Sequence, residues 1–70
     1  VVEPLIHALL DDAEALVRHE AAEALGDVGL PSALPALNHA IHDPSPVVRE
    51  TAALAISQIN KELENVIPPP

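Results

Sequence analysis

The 70-residue sequence contains no phenylalanine, tyrosine, tryptophan or methionine. Alanine supplies much of its apolar content and has little area to bury, so the core of this chain must be thin. Cysteine is also absent, which excludes both a stabilising disulfide and a thiolate metal site. Because a chain of this length hides only about 60% of its unfolded surface, the sequence predicts at most one small domain.

Basic residues are scarce as well: three of them stand against eleven acidic residues, which gives a formal charge of −8. No basic cluster could neutralise a phosphate backbone, so we expect no nucleic-acid partner. The acidic excess suits a cationic partner or a divalent metal ion, and solubility alone would also explain it. No apolar run approaches the roughly 20 residues that span a bilayer, and no signal peptide is visible. We therefore expect a cytoplasmic protein without membrane contact.

What the sequence does contain is an internal repeat with an ungapped offset of 31 residues, which takes Val17 to Val48. A fixed period in this range is the signature of a solenoid built from helix pairs. The identical pairs are Pro4 and Pro35, Asp12 and Asp43, Val17-Arg18 and Val48-Arg49, Ala21-Ala22 and Ala52-Ala53, and Ala24 and Ala55.

The repeat predicts an all-α fold of four helices, arranged as two HEAT-like helix hairpins at about residues 2–29 and 33–60. These hairpins would occupy residues 1–64, before a proline-rich tail at residues 65–70. Such arrays normally need about three repeats, so two are few for an independent domain.

Cap and turn residues predict where the helices begin and end. The first long helix should run from about residue 15 to residue 28, because Gly29 and a following proline end it. Ser32 could cap the next short helix, which would end at about Ile41. Ser45 and Pro46 could cap and begin the last helix.

An apolar stripe on the first long helix predicts where the polar residues of that helix point. At about 100° per residue, the stripe centres close to Val28. His19 then lies about 180° from that centre, Glu23 about 140° and Glu20 about 80°. We therefore expect His19 and Glu23 to face away from the stripe, with Glu20 on the flank. The stripe consists of Val17, Ala21, Ala24, Leu25 and Val28.

His19, Glu20 and Glu23 form a polar set of one imidazole and two carboxylates. Imidazole with carboxylate oxygen is the ligand mix of non-haem iron and manganese sites, and helical bundles build such sites from several helices. A His-Glu pair on an acidic helix is also ordinary solvated surface. The spacing alone leaves both interpretations open, and a metal centre would need ligands from other helices.

Arg18 and Arg49 recur at one position of the repeat, and aspartates precede each long helix. We predict a structural role for both arginines, through a salt bridge or a carbonyl contact to the neighbouring unit. His39 and His42 stand near the end of a short helix without a matched carboxylate pair on a neighbouring repeat. We expect both histidines to be incidental surface positions or helix C-terminal positions, where a histidine interacts favourably with the helix dipole.

Residues 17–26, VRHEAAEALG, resemble the long helix of HEAT-like repeats, which are also found in phycobilin lyase subunits and have the approximate sequence V-R-x-x-A-A-x-A-L-G. With His19-Glu20 in the variable positions, the chain is similar to the deoxyhypusine hydroxylase family of HEAT-like diiron monooxygenases. The second unit, DPSPVVRETAALAI at residues 43–56, resembles the closing repeat of that family. The likeness extends over about residues 2–60.

The resemblance implies a function that these residues alone could not complete. In that family, four His-Glu dipeptides bind two irons, which activate oxygen to hydroxylate the deoxyhypusine side chain of translation initiation factor 5A. His19 and Glu20 would be one of those dipeptides, with ferrous iron as the cofactor and Glu23 as a further, charge-balancing carboxylate. At the matching place in the second unit stand Glu50 and Thr51, which departs from the metal pattern. The 70 residues alone are therefore not expected to be active.

Two other functions stay open from the sequence. The repeats could form a non-catalytic scaffold that binds another protein along its concave face, or a subunit related to a bilin lyase. Two repeats leave an apolar face unpaired, which we expect near Val2, Ile6 and Leu9. The chain should therefore continue into further repeats or pack against another copy of itself.

Overall fold

The computed structural model describes residues 1–66 of the chain, with side chains up to residue 65. It contains four α-helices and a short 3₁₀ turn, and residues 1–66 include no strand. The two long helices pack on each other, and each short helix packs on the long helix that follows it. The prediction of an all-α fold of paired helices is confirmed. The elements are α1 (Val2–Asp11), α2 (Ala15–Val28), the 3₁₀ turn (Pro31–Ala33), α3 (Leu34–Ala40) and α4 (Pro46–Val66).

The ends of the long helices follow the residues that predicted them. Gly29 ends α2 in the left-handed conformation, with a φ of 75°, and its N–H donates to the Leu25 carbonyl at 3.1 Å. A side chain would strain this backbone, so glycine suits the position. Helix α4 begins at Pro46, as predicted, and continues to Val66. It thus enters the predicted tail, of which residues 67–70 lie outside the described part of the chain.

The prediction that Ser32 caps the short helix of the second unit is wrong. Pro31 begins a 3₁₀ turn that includes Ser32, and Ala33 precedes the first residue of α3. The N–H of Ala33 donates to the Leu30 carbonyl at 3.0 Å. The fixed φ of proline starts the turn early, so Ser32 is already inside it when α3 begins.

The core lies between the helix pairs and is built from a few aliphatic side chains and many alanines. Leu9 is only 1% exposed, which corrects the prediction that it lies on an unpaired face. Val2 and Ile6 are half-buried and pack against the same core. Within residues 1–66, no helix is both long and apolar enough to cross a bilayer. The larger fully buried side chains are Leu9, Leu25, Leu37, Val48 and Ile59.

The buried face of α2 differs from the predicted apolar stripe. Val17 and Val28 are 37% and 44% exposed, whereas the helix buries Ala22 and Gly26, which were not assigned to the stripe. At about 100° per residue, the centre of the buried face lies about 90° from the predicted centre. The difference arises from side-chain size. The predicted stripe was placed by the large aliphatic residues, whereas the buried face consists largely of alanine and glycine. That face lets α4 approach closely.

Gly26→Ala should lower the free energy of unfolding by about 1 kcal/mol. A Cβ atom at Gly26 would stand 2.8 Å from Gln58 Oε1 and 2.9 Å from Ala55 Cβ. Overpacking of this kind costs about 1–3 kcal/mol, and the helix propensity of alanine offsets about 1 kcal/mol. Chemical denaturation followed by circular dichroism measures the difference.

The double variant Gly26→Ala/Ala55→Gly is the matched control, because it removes the methyl group that the new Cβ would meet. Its loss of stability should be smaller than the sum of the two single losses. A Gly26→Ala chain that is more stable than the parent would contradict the close approach of α2 and α4.

Candidate functional site

A groove of about 290 Å³ runs between α2 and α4 on the protein surface. His19 lines it from α2 and is half-buried, with its Nδ1 atom 2.7 Å from Thr51 Oγ1 on α4. Glu23 and Asp27 line the same side, one and two helical turns further along. The opposite wall and the floor come from α4, through Thr51, Leu54, Ala55 and Gln58.

The structure brings His19 and Glu23 together in this groove but leaves Glu20 outside its lining. The predicted orientations of His19, away from the buried face, and of Glu20, on its flank, are therefore wrong, whereas Glu23 is exposed as predicted. His19 lies about 90° from the centre of the buried face of α2, and Glu20 lies about 170° from it. Glu20 is exposed on the side of α2 that turns away from α4. The two residues of the dipeptide thus point in different directions across the helix.

Asp27 is an acidic residue of the groove that the sequence analysis did not single out. Its Oδ1 atom accepts a long hydrogen bond of 3.5 Å from Gln58 Nε2 on α4. The signal that could have found it is the spacing of His19, Glu23 and Asp27, which follow one another at intervals of four residues. Residues at this spacing lie along one face of a helix.

The donors on α2 fit one part of a metal site. An imidazole nitrogen with carboxylate oxygens is a ligand set that iron accepts. However, the part of the chain that the structure describes holds no group of three or more histidine, aspartate or glutamate side chains placed to hold a metal ion. Iron bound at His19 and Glu20 would therefore need ligands from outside these residues.

The strongest polar contact between the two units is the ion pair of Arg18 and Asp43. Arg18 Nε lies 2.9 Å from Asp43 Oδ2, and Arg18 Nη2 donates to Asp43 Oδ1 at 3.1 Å. The side chains are only 14% and 9% exposed. Two parallel bonds to a carboxylate are the most directional contact that arginine makes. The hydrogen bonds from Arg18 hold the pKa of Asp43 below its usual value, and the N–H of Ser45 adds to this effect.

The carbonyl contacts of the two arginines repeat with the chain. Arg18 Nη1 donates to the Asp12 carbonyl at 2.9 Å, and Arg49 Nη1 donates to the Asp43 carbonyl at 2.8 Å. Each arginine therefore closes the turn before its own long helix. Arg18 in addition joins the two units, whereas Arg49 is exposed and forms no salt bridge within residues 1–65.

Comparison with known proteins identifies the class to which this fold belongs. The chain matches the family model of HEAT repeats over residues 2–69, and it therefore belongs to the HEAT repeat family.

Among curated proteins, it is similar to several that are named deoxyhypusine hydroxylase. It is 45% identical to that of Candida albicans over 65 residues, which is 91% of this chain and 20% of the relative. It is 53% identical to that of Saccharomyces cerevisiae over 58 residues, which is 80% of this chain and 18% of the relative. It is 42% identical to that of Mus musculus over 65 residues, which is 79% of this chain and 22% of the relative.

The chain spans about a fifth of the length of the curated relatives it matches. The resemblance to HEAT-like repeats and to deoxyhypusine hydroxylase, predicted from VRHEAAEALG, is confirmed.

Asp43→Asn should reduce stability at neutral pH and flatten the acid side of the stability profile. Because the pKa of Asp43 is lowered in the folded chain, its contribution is complete above the unfolded value of about 3.9 and is lost as the pH falls through the folded value. Stability below about pH 4 should therefore fall less steeply in the variant than in the parent. Thermal unfolding followed by circular dichroism across this pH range measures the slopes.

Asp11→Asn is the matched control, since Asp11 forms only an exposed contact of 3.5 Å with His7. Exposed pairs of this kind contribute little, so the pH profile of Asp11→Asn should follow that of the parent. Identical profiles for Asp43→Asn and the parent would show that the Arg18 pair does not stabilise the fold.

Proposed function

We propose that this chain is part of a deoxyhypusine-hydroxylase-like enzyme and contributes one His-Glu arm to a diiron site. The observation that carries the proposal is an identity of 42–53% to relatives of that name, over stretches that cover most of the chain. His19 and Glu20 are the proposed ligands, and Glu23 is the carboxylate that balances charge beside them. Iron bound there would supply the activation of oxygen that such an enzyme needs.

The charge of the chain supports a cationic substrate. Eleven acidic residues against three basic ones give a charge of −8, and Glu23 and Asp27 line the groove. Such a surface attracts the cationic deoxyhypusine side chain and the basic region of translation initiation factor 5A that presents it. We place this reaction in the cytoplasm, where that factor acts in translation.

The exposed side of α2 supports the packing of a preceding repeat. Val48 and Ile59 are completely buried in the second unit, whereas their first-unit counterparts Val17 and Val28 are exposed. On the same helix as Val48 and Ile59, Ala55 lies against Gly26 of the unit before it, so the first unit packs on the second-unit long helix. A repeat that packs on α2 in the same way would cover Val17 and Val28. Further repeats are therefore the first partner that the proposal requires.

The same repeat relation supports a role for Glu20 in a shared site. Thr51 is the second-unit counterpart of Glu20, and it contacts His19 of the unit before it. Glu20 would thus face the helix of a preceding repeat, at the position that corresponds to His19. A carboxylate placed there suits a metal site whose ligands come from several repeats.

A chimera tests the proposal. In the Saccharomyces cerevisiae relative, the segment that matches this chain is replaced by residues 1–70. The chimera should hydroxylate deoxyhypusine, which mass spectrometry of translation initiation factor 5A detects as the gain of one oxygen atom. His19→Ala/Glu20→Ala in the chimera should abolish both this product and the iron content, since two ligands are lost.

His39→Ala in the same chimera is the control, because His39 is an exposed histidine on the short helix α3. It should leave the product and the iron content unchanged. A folded chimera that stays active after the His19→Ala/Glu20→Ala change would overturn the proposal. The chain would then be a non-catalytic repeat scaffold, the main alternative left open by the sequence.

A further inference from the structure

We infer that Thr51 is a positioning residue that holds His19 in the Nδ1–H tautomer and so leaves the Nε2 lone pair available to a metal ion. The use of that lone pair rests on the proposed function. The tautomer itself follows from two hydrogen bonds that meet at one hydroxyl group.

The hydroxyl of Thr51 has one proton and two close neighbours. Oγ1 lies 2.7 Å from the Val47 carbonyl oxygen in its own helix and 2.7 Å from His19 Nδ1 on α2. A carbonyl oxygen only accepts hydrogen bonds, so the hydroxyl proton must lie between Oγ1 and Val47. Without that proton, the lone pairs of two oxygen atoms would face each other at this short distance. Oγ1 therefore accepts the second bond, and His19 Nδ1 donates it.

The position of this proton decides which ring atom can bind a metal. A neutral imidazole carries one ring proton, so a proton on Nδ1 leaves the lone pair on Nε2. Metal-binding histidines are fixed in the same manner, by a partner that accepts a hydrogen bond from the other ring nitrogen. Here the partner is Thr51, whose own rotamer is fixed by its bond to Val47. The ring is therefore oriented by α4, although it belongs to α2.

This role gives a reason for a feature that looked like a departure from the metal pattern. Thr51 stands where the first unit has Glu20, and Glu50 stands where it has His19. Because the Thr51 hydroxyl donates its proton to a carbonyl of its own helix, it can only accept a hydrogen bond from the neighbouring imidazole ring. The second unit thus lacks a metal-binding dipeptide and supports the imidazole of the first unit instead.

Nitrogen NMR of the 70-residue chain tests the tautomer. Long-range ¹H–¹⁵N spectra, recorded about two units above the ordinary imidazole pKa of about 6.5, distinguish the two tautomers of a neutral ring. His19 should be in the Nδ1–H form. In Thr51→Val, which keeps the shape but loses the hydroxyl, its ring should shift towards the tautomer mixture of the exposed His42. Thr51→Ser should retain the Nδ1–H form.

Two results would overturn the inference: a dominant Nε2–H form of His19 in the parent chain, or an unchanged tautomer in a folded Thr51→Val chain. Circular dichroism shows whether each variant keeps the helical content of the parent. If Thr51→Val does not fold, the parent and Thr51→Ser decide, and loss of the Nδ1–H form in either one contradicts the role of the hydroxyl.

Anaerobic titration with Fe²⁺ alone separates this inference from the proposed function. The titration uses the chimera, because residues 1–65 hold no complete set of metal ligands. Thr51→Val in the chimera should raise the Fe²⁺ concentration at half-saturation about 10- to 100-fold. An Nδ1–H ring in the 70-residue chain that Thr51→Val releases, together with a chimera in which His19→Ala leaves Fe²⁺ binding unchanged, would keep the positioning role and overturn iron binding by His19. An Nε2–H ring in the parent would overturn the positioning role, whether or not iron binds.

Discussion

The structure depends on the close approach of α2 and α4. Without aromatic residues, methionine or cysteine, the chain has few large side chains with which to fill space between helices. It instead brings the two helices close together where Ala55 lies against Gly26, and small residues such as Ala22 and Ala52 are buried on the same helices. At such short distances many atoms gain dispersion contacts, although each side chain is small. The same tight packing leaves little freedom for one unit to slide or rotate on the other.

This packing also sets the distances of the polar contacts. Arg18 and His19 are neighbours on α2, and each reaches across to the second unit, to Asp43 and to Thr51 respectively. A bidentate pair and a hydrogen bond of 2.7 Å tolerate only small displacements of the helices that hold them. The small residues of the interface allow the close approach of α2 and α4. This close approach in turn orients the imidazole of His19, the candidate ligand.

The sequence predicts the architecture because the relevant signals are local or periodic. The offset of 31 residues reveals the two units, and the Gly29 and Pro46 positions mark helix ends wherever the helices lie in space. The rotation of α2 could not be predicted in the same way, since small residues form its buried face and leave no strong apolar signal. The hydrogen-bond partner of His19 could not be predicted from the sequence either. Thr51 is distant in sequence, and only the packing of α4 on α2 brings its hydroxyl to the imidazole.

Three consecutive residues of α2 have different surroundings because a helix turns about 100° per residue. Arg18 contacts Asp43 of the following unit, His19 lines the groove, and Glu20 lies on the opposite, exposed side. Under the proposed function, one dipeptide then needs both neighbours. The following unit orients its imidazole through Thr51, and a preceding unit would come to lie beside Glu20. A catalytic centre assembled in this way would require several stacked repeats. The fixed offset between repeats would then position its side chains, as a binding loop does in a compact enzyme.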